Sequence, residues 1–436
     1  MSKKFILILL DGLGDRSFAE LGHQTPLQAA HTPFLDHLAA RGCSGLYHAG
    51  LSGQALPSEN AHFAMFGYDP ADFPGRGVLE ALGAGISLDR DQVAVLAHFV
   101  SVREEDGKLR LMRDKVEADQ EDARQAFDRV VQYSAHGVHI RLVPARGLFG
   151  VLVLTGEVSP CITDSNPILD GRLLSAVIPF EKEAGDGKCI NTAAALTSYL
   201  SWSYGRLKDA QFNLAREKAG KIPLNGVVTQ RAGRLKDREP FHVQNGIKGA
   251  SISSGVVYQG LGSYLGLDVI PGAEKDDPGQ EIQARVNAAR RHLDEYDFIH
   301  VHTKAPDEAA HKKDPLLKKK VIESLDQGLR ASLPELLENE EVILAVTADH
   351  STPSGGLLVH SGEPVPLVIT GPGVRVDNVH KFDEISAACG ALGPVRGKEF
   401  MYLVLNYLER SRLAGLMDAP VERPYWPGAG RPFVLE

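Results

Sequence analysis

Cysteine is scarce and unpatterned: the 436 residues contain four, Cys43, Cys161, Cys189 and Cys389, with no CxxC pair. That excludes a cysteine-rich zinc module and fits a reducing compartment. No apolar run approaches the length of a membrane span. The six apolar residues after Met1-Ser2-Lys3-Lys4 run straight into Asp11 with no small-residue cleavage site, unlike a signal peptide. A cytoplasmic protein is expected. Excess positive charge is also missing, since the formal net charge is −9; this argues against nucleic acid or an anionic membrane as partner. There is no internal repeat, low-complexity tract or coiled-coil heptad. Gly75-Arg76-Gly77 and Gly260-Leu261-Gly262 miss the third glycine of a dinucleotide fingerprint, and no GxSxG elbow offers a hydrolase nucleophile.

What is present is the composition of a soluble globular protein, 43% hydrophobic and 24% charged. The length favours two domains. Short, continuously apolar segments at Phe5–Leu10, Phe298–His302, Val342–Ala348 and Leu367–Thr370 suit buried parallel strands. Helical stretches are expected at 281–296 and 316–337, with Lys318-Lys319-Lys320 as one solvated helix face. Between about 92 and 246 the texture changes to short strands, an acidic helix and a glycine-rich loop at 225–233. The expected architecture is α/β: a doubly wound, mostly parallel core (1–91 and 247–436) interrupted by a smaller inserted α/β domain (92–246).

The residues of ligand type cluster at the ends of the strand-like runs. Asp11 closes the first run, and Asp349-His350 closes the one from Val342 to Ala348. Carboxyl ends of strands are where open α/β sheets place ligands. Asp307 and His311 are four apart, so on a helix they share one face and can bind one ion. His360 follows another short apolar segment. Taken singly each has an ordinary alternative: a helix start, a turn cap, a satisfied surface histidine. Together they supply ligands for two divalent ions, and the mixture of carboxylate and imidazole suits Mn²⁺ or Zn²⁺.

A two-metal site calls for a nucleophile, and Ser58 in Leu56-Pro57-Ser58-Glu59-Asn60-Ala61-His62 is the candidate. Metal coordination lowers the pKa of a serine hydroxyl enough to present an alkoxide. The plainer reading makes Ser58 a helix N-cap.

These words, with Gly12-Leu13-Gly14-Asp15, Phe66-Gly67-Tyr68-Asp69-Pro70, Glu80-Ala81-Leu82-Gly83, Ser351-Thr352-Pro353 and Ser361-Gly362, run in order through both outer parts of the chain. The chain resembles the archaeal-type cofactor-independent phosphoglycerate mutases, a branch of the alkaline phosphatase superfamily. The resemblance implies one metal held by Asp307, His311 and His360 and another by Asp11, Ser58, Asp349 and His350. It further implies interconversion of 3- and 2-phosphoglycerate through a phosphoserine, with Mn²⁺ favoured and Zn²⁺ or Co²⁺ as alternatives. The inserted domain would close over a small phosphorylated metabolite and exclude water. No oligomeric state is implied.

Inside the insert the resemblance weakens. An arginine expected near Leu96 is absent; Gly147-Leu148-Phe149 stands where a His-Arg pair is expected, and Asn166-Pro167-Ile168 where an Asp-Pro-His word is expected. An arginine-rich stretch is reduced to Arg110, Arg113 and Lys115, while Asn225, Arg231 and Gly233 match. Arg76, Lys115, Arg231, Lys304 and Arg396 remain as cationic candidates for the substrate's anionic groups. Two other readings stay open: a phosphatase or phosphotransferase acting on another small phosphorylated metabolite, and a non-catalytic metal-dependent binding protein.

Overall fold

The computed structural model describes residues 3–413 and 433–435. The strands in chain order are β1 (Lys4–Leu10), β2 (Cys43–His48), β3 (Val93–Glu105), β4 (Lys108–Arg113), β5 (Gln132–Ala135), β6 (Val138–Arg146) and β7 (Phe149–Gly156). There follow β8 (Gly226–Gly233), β9 (Gly249–Ser253), β10 (Asp268–Pro271), β11 (Phe298–Thr303), β12 (Val342–Thr347), β13 (Val365–Thr370) and β14 (Gly393–Arg396). The chain separates into two compact units: residues 1–73, 239–255 and 265–436 in the first, and 74–238 with 256–264 in the second.

The first unit is built on an eight-stranded sheet of order β10-β9-β11-β1-β12-β13-β2-β14. Only β13 runs against the others. Phe5 to Leu10 are all fully buried, as are Ile343, Ala345 and Val301. Continuous apolar strands of this kind are the signature of a sheet covered on both faces. The parallel register pairs Leu10 with Thr303 and Leu9 with Thr347. The carboxyl ends of β11, β1 and β12 therefore lie side by side, and the residues that follow each strand converge on one edge of the sheet.

The second unit carries an antiparallel sheet of order β4-β3-β7-β6-β5, with β8 also paired to β3. Residues 225–233 were expected to form a loop; instead Gly226–Gly233 is a strand. Val227 and Val228 are buried and pair with Phe99 and His98 on β3, so packing overrides the glycine-rich local signal. Residues 256–264 belong here because the helix Val256–Leu265 crosses the helix Arg76–Gly83 at two glycines. A Cβ at Gly260 would lie 1.7 Å from the Leu79 carbonyl oxygen, and one at Gly83 1.9 Å from that of Val256. No helix among the described residues is long and apolar enough to cross a membrane.

Candidate metal centre

All seven residues proposed as metal ligands from the sequence lie in the first unit. Asp11 follows β1, and Asp349 and His350 follow β12 one residue after its end. Lys304 and the helix Ala305–His311 follow β11, placing Asp307 in the first turn and His311 in the last. Asp11, Asp307, Asp349 and His350 are buried, His360 is half-buried and His311 is exposed. The Asp11-Gly12 word has a steric reason. Gly12 has a φ of 65°, and a Cβ there would lie 2.8 Å from the Cβ of Asp307. Its N–H donates to Asp349 Oδ1 at 3.1 Å.

Ser58 opens the helix Ser58–Met65, but the N-cap is Pro57 and no side chain caps the helix. The N-cap reading of Ser58 thus gives way. Its Oγ turns to the sheet edge, 2.8 Å from His350 Nε2 and 3.5 Å from Asp11 Oδ1.

Proton counting on the histidines decides what the cluster is for. Thr352 Oγ1 has one proton and donates it to Asp307 Oδ1 at 2.7 Å. His350 Nδ1, 3.1 Å from the same hydroxyl, must then be the protonated nitrogen. This leaves the His350 Nε2 lone pair 3.2 Å from Asp349 Oδ2 and 3.5 Å from Asp11 Oδ1. His360 repeats the pattern: Nδ1 faces the Leu56 carbonyl at 2.8 Å, so Nε2 points its lone pair at Asp307 Oδ1, 3.6 Å away. Lone pairs aimed at carboxylate oxygens repel one another unless a cation lies among them. Ligand-type atoms of Asp307, His350 and His360, and again of Asp11, Asp349 and His350, lie within 4.8 Å of one another. His350 is within reach of both groups. His311 joins through the other oxygen of Asp307, at 3.2 Å. The donor set fits divalent ions.

The electrostatics agree. Burial, opposed by the Asp349 charge, holds the His350 ring down at about 4, so it is neutral at pH 7. Burial disfavours ionisation of Asp349 and Asp307 too. It is outweighed at Asp349 by the charge that His350 carries at low pH, by His62 and by the Gly12 N–H, and at Asp307 by His311, by the same His350 charge and by Thr352. Both carboxyls end below the usual range, Asp349 well below and Asp307 at about 2.

The cationic candidates are distributed. Lys304 precedes the helix that carries Asp307, and Arg396 ends β14 on the same carboxyl-end edge as the ligands. Arg76, Lys115 and Arg231 lie in the second unit. Arg76 is paired with Glu80 at 2.7 Å, and the backbone N–H of Arg231, in the left-handed region at φ 57°, donates to Asp164. Among the expected losses, Leu96 and Leu148 are buried, and Phe149 stacks on His98, which pairs with Asp114 at 3.0 Å.

A further expectation is overturned. Lys318 is fully buried rather than on a solvated face. Its ammonium donates to Gly12 O, Gly14 O, Thr352 O and Asp15 Oδ2 at 2.8–3.1 Å, tying together the loops that carry Asp11 and His350. Composition hides this, because Lys319 beside it does sit on the helix surface, paired with Glu323 at 2.7 Å. Buried histidines His62 and His302, each against a candidate ligand, were also missed. Their signal lay in period: His302 alternates along β11, and His62 is one helical turn from Ser58.

The sequence pattern of the Metalloenzyme superfamily matches residues 3–407. Over 99% of its length the chain is 38% identical to a 2,3-bisphosphoglycerate-independent phosphoglycerate mutase of Methanocaldococcus jannaschii, covering 99% of that protein. The chain belongs to this superfamily, in its phosphoglycerate mutase family. The fold is similar to that of a Pyrococcus horikoshii protein, with a TM-score of 0.76, 30% identity and coverage of 94% of this chain and 98% of that one. It is also similar to a cofactor-independent phosphoglycerate mutase of Thermoplasma acidophilum, with a TM-score of 0.64, 30% identity and coverage of 93% and 100%. Family and fold therefore agree with the resemblance read from the outer motifs.

Proposed function

We propose that the protein interconverts 3-phosphoglycerate and 2-phosphoglycerate through a phosphoserine at Ser58, in the cytoplasm. The observation that carries this reading is the position of Ser58 Oγ, 2.8 Å from the His350 Nε2 lone pair and facing Asp11, at the opening of a helix. Asp11, Ser58, Asp349 and His350 would hold one divalent ion, and Asp307, His311 and His360 the other, with Mn²⁺ favoured over Zn²⁺ or Co²⁺. When bound, the ions would supply positive charge against the transferring phosphoryl group and ease loss of the serine proton.

In the metal-free protein His350 holds the Ser58 hydroxyl in place. The new bond is Ser58 Oγ–P, formed as Ser58 gives up its proton; the bond that breaks joins phosphorus to the substrate oxygen, which takes up one proton, so the step is proton-neutral. The glycerate's other hydroxyl then attacks the phosphoserine and gives up its proton, the Oγ–P bond breaks, and the Ser58 oxygen takes up one proton to restore the hydroxyl. Arg76, Lys115, Arg231, Lys304 and Arg396 are the proposed partners of the substrate's carboxylate and phosphate.

A second reading, net phosphate release, is favoured by one observation. The cluster around Leu96, Phe149 and Asn166 presents His98 and the Asp114 carboxylate, with Asn166 Nδ2 donating to that carboxylate at 3.2 Å. An acid, Asp114, thus stands among the positions where the resemblance implies cations. The test is to incubate the Mn²⁺-loaded protein with 3-phosphoglycerate and follow 2-phosphoglycerate and free phosphate together. Isomerised product without phosphate supports the mutase, phosphate alone supports the phosphatase, and neither product overturns both.

A further inference from the structure

Three histidines outside the proposed ligand set are packed together, fully buried, behind the carboxylates. Their ring centroids are 5.1 Å apart for His62 and His302, 5.5 Å for His62 and His300, and 5.7 Å for His300 and His302. Apolar side chains would fill this volume at less cost, because each buried imidazole needs hydrogen-bond partners. Two of the three find them on the candidate ligands.

His302 Nε2 is 3.0 Å from Asp11 Oδ2. The carboxylate has no proton to give, so this nitrogen carries it and donates. The second oxygen of Asp11 is the one that faces Ser58 Oγ and His350 Nε2, at 3.5 Å each. His62 Nδ1 is 2.8 Å from the carbonyl oxygen of Ser58, which can only accept, so Nδ1 is protonated there too. The same nitrogen lies 3.3 Å from Asp349 Oδ2.

We propose that His302 and His62 are positioning residues for one of the two metal sites, the one that bears the nucleophile. His302 fixes the rotation of Asp11 so that Oδ1 alone is presented. His62 anchors the backbone of Ser58 and lies against Asp349, so a single buried layer orients three of the four groups of that site. The inference rests on the metal division proposed above and adds an asymmetry: the contacts just described fall on Asp11, Ser58 and Asp349, all groups of one site. Partners of this kind typically set metal affinity by about 10- to 100-fold.

The experiment is calorimetric titration of chelator-stripped protein with Mn²⁺, comparing wild type with His302→Leu, His302→Gln and His62→Leu. Wild type is expected to bind two ions per chain in two phases. His302→Leu and His62→Leu should weaken one phase by about 10- to 100-fold and leave the other unchanged. His302→Gln, which keeps an N–H donor near the Nε2 position, should recover most of the loss. A purely structural role would weaken both phases together, and that result overturns the proposal, as does wild-type affinity in both leucine variants. Should the leucine variants fail to fold, His302→Asn, whose shorter amide does not reach the Nε2 position, carries the test: weakening confined to one phase supports the proposal, and equal weakening of both phases or wild-type affinity overturns it. Failure of wild type to bind two ions would instead remove the metal division itself, an outcome separate from the others.

Discussion

The Nζ of Lys318 lies 3.1 Å from Asp15 Oδ2 with neither side chain exposed to solvent. Asp15 also accepts from the Ser354 N–H at 3.1 Å and from its hydroxyl. The ion pair is thus the centre of a buried knot joining the loop after β1 to the loop after β12. Burial pulls the Lys318 ammonium below its usual pKa, and Asp15 opposes that shift. Lys318→Met keeps most of the volume but strands Asp15 and three carbonyls. Removing one partner of a buried pair costs about 3–5 kcal/mol, so urea unfolding of the metal-free variant should show a loss of that order. A loss within about 0.5 kcal/mol, ordinary for a surface substitution, would show that the lysine is not what joins the loops.

Legibility in the sequence followed local signal. The strands β1, β11, β12 and β13 announce themselves because a run buried on both faces must be apolar throughout. Asp11 and Asp349-His350 were readable because they end such runs. Gly226–Gly233 was not readable: its strand character comes from pairing with β3, a contact more than a hundred residues away in sequence. Lys318 was hidden for a related reason. A buried cation looks like any other lysine until the carbonyls of Gly12, Gly14 and Thr352 are brought around it. His62 and His302 carry only a periodic signal, which core histidines share, and neither follows the end of an apolar run as Asp11 and Asp349 do.

Glu384 gives the knot a pH dependence of known sign. It accepts from the Asp15 N–H at 3.2 Å and from Thr25 Oγ1 at 2.8 Å. Burial nevertheless dominates and raises its carboxyl from 4.5 to about 7. The folded state then binds the proton more tightly than the unfolded chain, so stability falls as pH rises between the two values. The contribution is complete below about 4.5 and lost as pH passes through about 7. Glu384→Gln should remove this slope. Measured by thermal unfolding at pH 5 and pH 8, the variant should gain on wild type at the higher pH, and parallel profiles would refute the assignment.

Ser58→Ala should reduce turnover by at least about three orders of magnitude, since loss of a nucleophile removes the covalent route. The fold should survive, because the side chain caps no helix. Mass spectrometry of wild type quenched during turnover should locate phosphate on Ser58; phosphate on another residue would displace it from the nucleophile's role. Chelation should likewise abolish activity and Mn²⁺ restore it, and full activity in rigorously metal-free protein would remove the ions from the mechanism.

The proposed reading assigns part of the substrate's anion grip to cations of the second unit. Leu96 is buried opposite Gln230, and Phe149 lies against His98, so neither position offers a cation. A hydrogen bond to a charged partner contributes about 1.5–3 kcal/mol, and each 1.4 kcal/mol is roughly tenfold in rate. Two such losses lower catalytic efficiency toward 3-phosphoglycerate by about two to four orders of magnitude unless Arg76, Lys115, Arg231 or Arg396 replaces them. Efficiency well under about 10⁵ M⁻¹s⁻¹ is therefore expected. A value at or above that figure would mean the remaining cations rebuild the grip. In that case Lys115→Ala and Arg231→Ala, measured separately, should each raise KM more than they lower kcat if the contact is made equally in ground and transition states. If neither variant changes KM, the carboxylate is held by Lys304 and Arg396 instead, and the same substitutions there should show the effect.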